Sequence, residues 1–214
     1  MRASAALVAI ALGCGAPVWA QNPAAPVGRY DGSQPEMAVA LELGKDGRFR
    51  YGLSYGALDE RAEGVWAVEN GTLYLTSQPK VTPPRFALVE DKPAPKGALS
   101  VRLSDPDALG GFPLTLIVTI AGEDRPRYID ADEEGRIPVE PGSIVTSIVP
   151  DLPVYDILYA PHALTPDTGH HLVFRFEPND MGKADFAREA LVIEDGALVF
   201  ARHGRTIRLR REDQ

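Results

Sequence analysis

Between residues 37 and 55 the apolar side chains fall on every second position. Met37, Val39, Leu41 and Leu43 alternate with Ala38, Ala40 and Glu42, and after Gly44-Lys45-Asp46-Gly47 the pattern resumes with Phe49, Tyr51, Leu53 and Tyr55. Successive side chains of a strand point to opposite faces, whereas a helix repeats every 3.6 residues, so this spacing calls for strands with one buried face. Two such runs joined by a short Gly/Asp turn form an antiparallel hairpin. Val65 to Val68 and Thr72 to Thr76 flank Glu69-Asn70-Gly71 and form a second one. Asn-Gly tolerates positive φ at both turn positions. Glu194-Asp195-Gly196, followed by Leu198 and Phe200, repeats this hairpin recipe late in the chain.

The same grammar continues through the second half, from Leu99-Val101-Leu103 and Leu114-Leu116-Val118-Ile120 to Leu198–Phe200 and Ile207-Leu209. Helical periodicity is nearly absent; Ala57 to Glu63 and Lys183 to Leu191 have room for a turn or two each. The fold class is therefore all-β, an antiparallel barrel-like or sandwich arrangement. Residues 78–97 hold Pro79, Pro83, Pro84, Pro93 and Pro95, with only Phe86 to Val89 able to pair. Proline cannot donate to a ladder, so this stretch reads as a linker or an edge excursion, and as the best candidate boundary. Two small β domains are expected on either side of it, at 27–90 and 97–211.

Residues 1–20 carry the features of a cleavable export signal. Met1-Arg2 supplies positive charge, Ala5 to about Ala16 a short apolar run, and Val18-Trp19-Ala20 small or modest side chains at the two positions a signal peptidase inspects, Val18 and Ala20, before Gln21. The run is too short for a membrane anchor. Ala11-Leu12-Gly13 before Cys14 matches a lipidation signal poorly, so cleavage after Ala20 is expected, and the protein is expected in the periplasm or secreted. Cys14 is the one cysteine in the chain. Its loss with the signal removes disulfides, zinc-thiolate sites and cysteine catalysis together. The net charge of −8 disfavours nucleic acid and anionic membrane as general partners.

Gly28-Arg29-Tyr30, Asp46-Gly47-Arg48-Phe49, Gly64-Val65-Trp66 and Gly71-Thr72-Leu73-Tyr74-Leu75 follow one another in an order that resembles a lipocalin-like, calycin-type module of exported bacterial proteins. The resemblance spans 28–77 and implies a β-barrel with an apolar or lipid-like ligand. A full lipocalin barrel needs eight strands, and residues 28–103 supply about six. Tyr128 to Ile137 with Pro141-Gly142 more faintly resembles transthyretin-like or Ig-like accessory sandwiches.

The candidate ligand-binding residues are Tyr51, Tyr55 and Trp66, aromatics able to gather on one sheet face, and Arg208 and Arg210. The last two share the face of a C-terminal strand opposite Ile207 and Leu209 and are suited to phosphate or carboxylate groups. The competing readings are packed core for the aromatics and an edge guarded against aggregation for the arginines.

No catalytic set, metal site or cofactor is expected. Gly52-Leu53-Ser54-Tyr55-Gly56 spells a nucleophile-elbow pattern, but Ser54 lies within an alternating strand with no following helix. Asp130, Asp132 and Glu134 begin a calcium-loop pattern whose twelfth position is Pro141, which has no ligating side chain. His162, His170, His171 and His203 lack metal-ligand spacing. The expectation is an exported, non-enzymatic accessory or binding protein for a small apolar or lipid-like molecule or an envelope protein. The alternatives are a small envelope hydrolase using Ser54 or a carboxylate pair, and an envelope-assembly factor.

Overall fold

The computed structural model describes residues 26–155, 157 and 160–212. The expected signal and Cys14 lie outside them. No described residue is helical, so the all-β expectation holds, and among the described residues no helix is long and apolar enough to cross a membrane. Five strands form a meander first: β1 (Gly28–Asp31), β2 (Met37–Leu43), β3 (Arg48–Tyr55), β4 (Leu58–Glu69) and β5 (Thr72–Ser77).

The chain then leaves this sheet. It builds β6 (Arg85–Ala94), β7 (Leu99–Leu103), β8 (Thr115–Ile120), β9 (Arg127–Asp130), β10 (Val145–Asp151), β11 (His162–Ala163) and β12 (Gly169–Glu177). These pair as a four-stranded sheet, β11-β10-β8-β9, and a three-stranded sheet, β6-β12-β7. Val101, Leu172 and Phe174 from one sheet and Leu116, Val118 and Ile148 from the other share a buried cluster. Pro93 sits inside β6, where the sequence allowed only four residues of strand. It is tolerated because β6 is the edge of its sheet, paired to β12 alone.

The chain returns to the first sheet as β13 (Ala187–Glu194), β14 (Ala197–Arg202) and β15 (Arg205–Arg211). β13 pairs with β5 and β15 with β1, all antiparallel, which closes an eight-stranded barrel in the order β1-β2-β3-β4-β5-β13-β14-β15. This differs from the expected boundary at residues 90–97. Residues 187–211 complete the barrel, and the sandwich is an insertion between its fifth and sixth strands. Closure explains the arrangement, because five strands alone would leave two unpaired edges. The candidate helical turns at 57–63 and 183–191 fall largely in β4 and β13 instead.

Side chains fill the barrel. Leu41, Leu43, Phe49, Leu73, Leu75 and Leu191 are fully buried, each stabilising the fold by about 1.5–3 kcal/mol. Phe186, just before β13, is also fully buried. Its ring lies 5.0 Å from Tyr51 and 5.8 Å from Phe49. Ser77 fixes this re-entry point: its hydroxyl donates to the Ala184 carbonyl at 3.1 Å and accepts the Phe186 N–H at 2.9 Å. Gly64 lets β4 come close to its neighbours. A Cβ there would stand 2.0 Å from the Thr76 carbonyl oxygen and 2.9 Å from the Phe49 ring. The turns at Asn70-Gly71, Asp195-Gly196 and His203-Gly204 all have positive φ at both residues, as the tightest hairpins require.

Candidate functional site at the barrel mouth

Alternation along β4 sends Leu58, Glu60 and Ala62 inward, and alternation along β14 does the same for Leu198, Phe200 and Arg202. Opposite charges thus occupy core-facing positions at one end of the barrel, the end where the chain departs for the insertion and returns. Arg202 donates from Nε and Nη2 to the two carboxylate oxygens of Glu60 at 2.8 and 2.9 Å. His203 Nε2 lies 3.0 Å from Glu60 Oε2. The Arg202 guanidinium also sits 5.1 Å over the Phe186 ring.

The Glu60 side chain is 8% exposed and that of Arg202 16%, so the pair is largely out of water. Burial pushes the Glu60 carboxyl up, but the hydrogen bonds and charges of Arg202 and His203 outweigh it and hold the group below its ordinary range. Burial likewise opposes the Arg202 charge, and Glu60 more than restores it. Beneath them the Tyr51 hydroxyl is buried with no hydrogen-bond partner among the described residues. Desolvation pushes its pKa up, against the pull of Arg202.

Above this floor is a cleft of about 260 Å³ between barrel and insertion. Leu58, Val81, Pro83, Pro153, Val154 and Tyr155 contribute apolar wall, while Glu60, Arg202, His203, Lys183 and Asp185 contribute charge. Val154 and Tyr155 also pack against the barrel core, so the insertion roofs the mouth rather than hanging from a linker.

A second polar cluster lies in the insertion. Asp91 on β6 bridges two imidazoles, with His170 Nδ1 at 2.8 Å from Oδ1 and His162 Nε2 at 3.2 Å from Oδ2. Burial raises the Asp91 carboxyl, but these hydrogen bonds bring it below its ordinary value. Among the described residues no group of three or more His, Cys, Asp or Glu is arranged to hold a metal ion.

The residues expected to bind ligand are not brought together. Tyr51 is inside the barrel, 4% exposed. Tyr55 is partly buried near the mouth, accepts a hydrogen bond from Arg205 at 3.0 Å and carries that guanidinium 4.9 Å from its ring centre. Trp66 packs on the barrel core and donates from Nε1 to the Gly44 carbonyl at 3.1 Å. Arg208 is paired with Glu194 and Asp195, and Arg210 stays exposed. β15 is no edge, since β14 and β1 flank it on both sides.

Ser54 donates to Asp59 at 2.6 Å on the outer surface of the β3–β4 hairpin. In the acidic loop, Asp132 accepts the Glu134 and Arg136 N–H groups and the Arg136 guanidinium, and Asp130 accepts from Thr115. Glu60 escaped the sequence reading. A glutamate on the core-facing parity of a strand, matched by an arginine on the same parity of another, was the available signal.

Comparison with protein-family models, curated proteins and solved structures finds no significant match to this chain.

Proposed function

We propose that this chain is an exported, non-enzymatic binding protein that holds a small apolar or lipid-like molecule in the cleft between the barrel mouth and the inserted sandwich. The observation that carries this reading is the cleft itself, a concavity whose lining is about equally apolar and polar, with Leu58, Val81 and Val154 able to hold an apolar body and charged groups converging on its floor to fix a polar end. The barrel interior is filled by side chains, which favours the mouth over the lumen. The eight-stranded antiparallel barrel agrees with the lipocalin-like resemblance of residues 28–77. Export rests on the pattern of residues 1–20; an intact-mass measurement on exported protein tests it, with a chain beginning at Gln21 expected and a diacylglyceryl adduct on Cys14 the result that would overturn it.

Fluorescence titration with N-phenyl-1-naphthylamine, a neutral apolar probe, tests the binding reading. The wild type should take up the probe, and Pro153→Trp, which adds bulk to an exposed position on the cleft wall, should not. Equal uptake by both proteins, or none by the wild type, overturns the proposal.

A further inference from the structure

The core of the inserted sandwich opens to solvent at one end. The β6–β7 turn, the segment before β10 and the segment before β12 surround a cavity of about 200 Å³ there, which shares no residue with the cleft at the barrel mouth. Its walls are mostly apolar. Leu99, Val139, Val145 and Leu164 line it and also pack in the buried cluster between the two sheets, while Ile144 stands half exposed beside it. His170 is the one buried polar side chain in this lining, nine-tenths out of water. Its backbone N–H donates to the Ala98 carbonyl at 2.9 Å. Gly169 permits that approach, since a Cβ there would stand 2.2 Å from the Pro95 carbonyl oxygen. The Asp91 carboxylate, which only accepts, lies 2.8 Å from Nδ1 and so places the ring hydrogen on that nitrogen. A neutral ring then has Nε2 as an acceptor. Asp91 and His162 are not in the cavity wall and Thr165 is, so the ring edge that faces the cavity is the Nε2 edge. Among the described residues, two atoms of Thr165 approach Nε2: its carbonyl oxygen at 3.4 Å, which cannot donate, and its hydroxyl at 3.3 Å, beyond ordinary hydrogen-bond length. A buried acceptor is thus left short of a donor on the side of an apolar cavity.

We propose that this cavity is a second small-molecule site, independent of the barrel mouth, and that it takes a neutral one-ring molecule whose hydroxyl group donates to His170 Nε2. Size sets the body of the ligand. An apolar cavity of about 150 Å³ holds one benzene ring, so about 200 Å³ holds one ring with small substituents and excludes a lipid chain with its head group. Charge sets the polar end. A carboxylate or phosphate would bring an acceptor to an acceptor that Asp91 backs with negative charge. An ammonium would meet Lys96, the one fully charged side chain in the lining. A neutral hydroxyl meets neither penalty and supplies the donor that Thr165 delivers only at 3.3 Å.

Methyl-resolved NMR titration of the full exported chain with p-cresol, and with p-xylene, which carries a methyl in place of the hydroxyl, tests this at about pH 8. Both probes should shift the methyl signals of Leu99, Val139, Val145 and Leu164, in the wild type and in Pro153→Trp alike. His170→Phe keeps a ring and removes the acceptor, so the ratio of p-cresol to p-xylene affinity should fall about fivefold or more. Thr165→Val, at an exposed position that leaves the fold intact, removes the competing hydroxyl and should raise that ratio about twofold or more. Thermal melts verify each variant, and where His170→Phe melts early the Thr165→Val ratio decides alone. Methyl signals that do not move, a ratio unchanged in folded His170→Phe, or a ratio unchanged or lowered in Thr165→Val overturns the proposal. Shifts that vanish in Pro153→Trp would place the probes at the barrel mouth and overturn it as well. The two sites fail separately: p-cresol binding lost with N-phenyl-1-naphthylamine uptake intact refutes this site and leaves the barrel-mouth reading standing, and the converse refutes only the latter.

Discussion

Arg202 and Glu60, 142 residues apart in the chain, form a two-bonded ion pair across the mouth of the barrel at 2.8 and 2.9 Å. One comes from the strand that follows the first tight turns, the other from a strand added only after the whole inserted sandwich. The pair joins the two separated pieces of the barrel at the point where the insertion leaves it.

Removing one partner of a buried pair strands the other, so Glu60→Gln should cost about 2–3 kcal/mol at pH 7. The folded-state carboxyl is depressed, so its contribution is fully present above the unfolded-state value and is lost as pH falls through the folded-state value. Urea melts of both proteins should therefore differ most above about pH 5, and the gap should narrow as pH falls below the unfolded-state value of about 4.3. A gap independent of pH would show that the loss is one of shape and not of charge.

Tyr51 invites the opposite test. Its hydroxyl is buried without a partner among the described residues, so Tyr51→Phe should leave stability unchanged or raise it by about 1 kcal/mol. Tyr51→Ala removes a ring packed against Phe186 and Phe200 and should cost about 3–5 kcal/mol. A clear loss of stability in Tyr51→Phe would mean that the hydroxyl has a partner.

Asp91 ties β6 to β12 and β11 through His170 and His162. The carboxylate is 31% exposed, which limits what Asp91→Asn should cost to about 1 kcal/mol near pH 6–7. Because the Asp91 pKa is depressed in the folded state, this difference should fade in acid, below about pH 4. Chemical denaturation across that range measures it; a gap that widens in acid would contradict the assignment.

Metal should be irrelevant to stability. Asp132 is already engaged by Arg136, and Asp130 by Thr115, which leaves the acidic loop organised by protein donors. Melts with chelator, calcium or zinc should coincide within about a degree, since tight binding to the folded state would raise the midpoint. A rise of about ten degrees with calcium would reassign the Asp130–Glu134 loop.

Period-two alternation and turn chemistry made most barrel strands legible. Phe49, Tyr51 and Leu53 were placed on one face by spacing alone, and Asn70-Gly71 and Asp195-Gly196 marked their hairpins, because side-chain direction and backbone φ are local properties. Partner choice is not local. Nothing in Leu191, Leu198 or Ile207 says that β13 to β15 return past a hundred residues to pair with β5 and β1; the need to bury the open edges of a five-stranded sheet decides it. The mouth cluster has the same origin. Alternation could put Glu60 and Arg202 on inward faces, but only closure of the barrel set one opposite the other. Only the insertion folding back over the mouth made their surroundings a cleft, because distance in space depends on which strands pair and not on how far apart they lie in sequence.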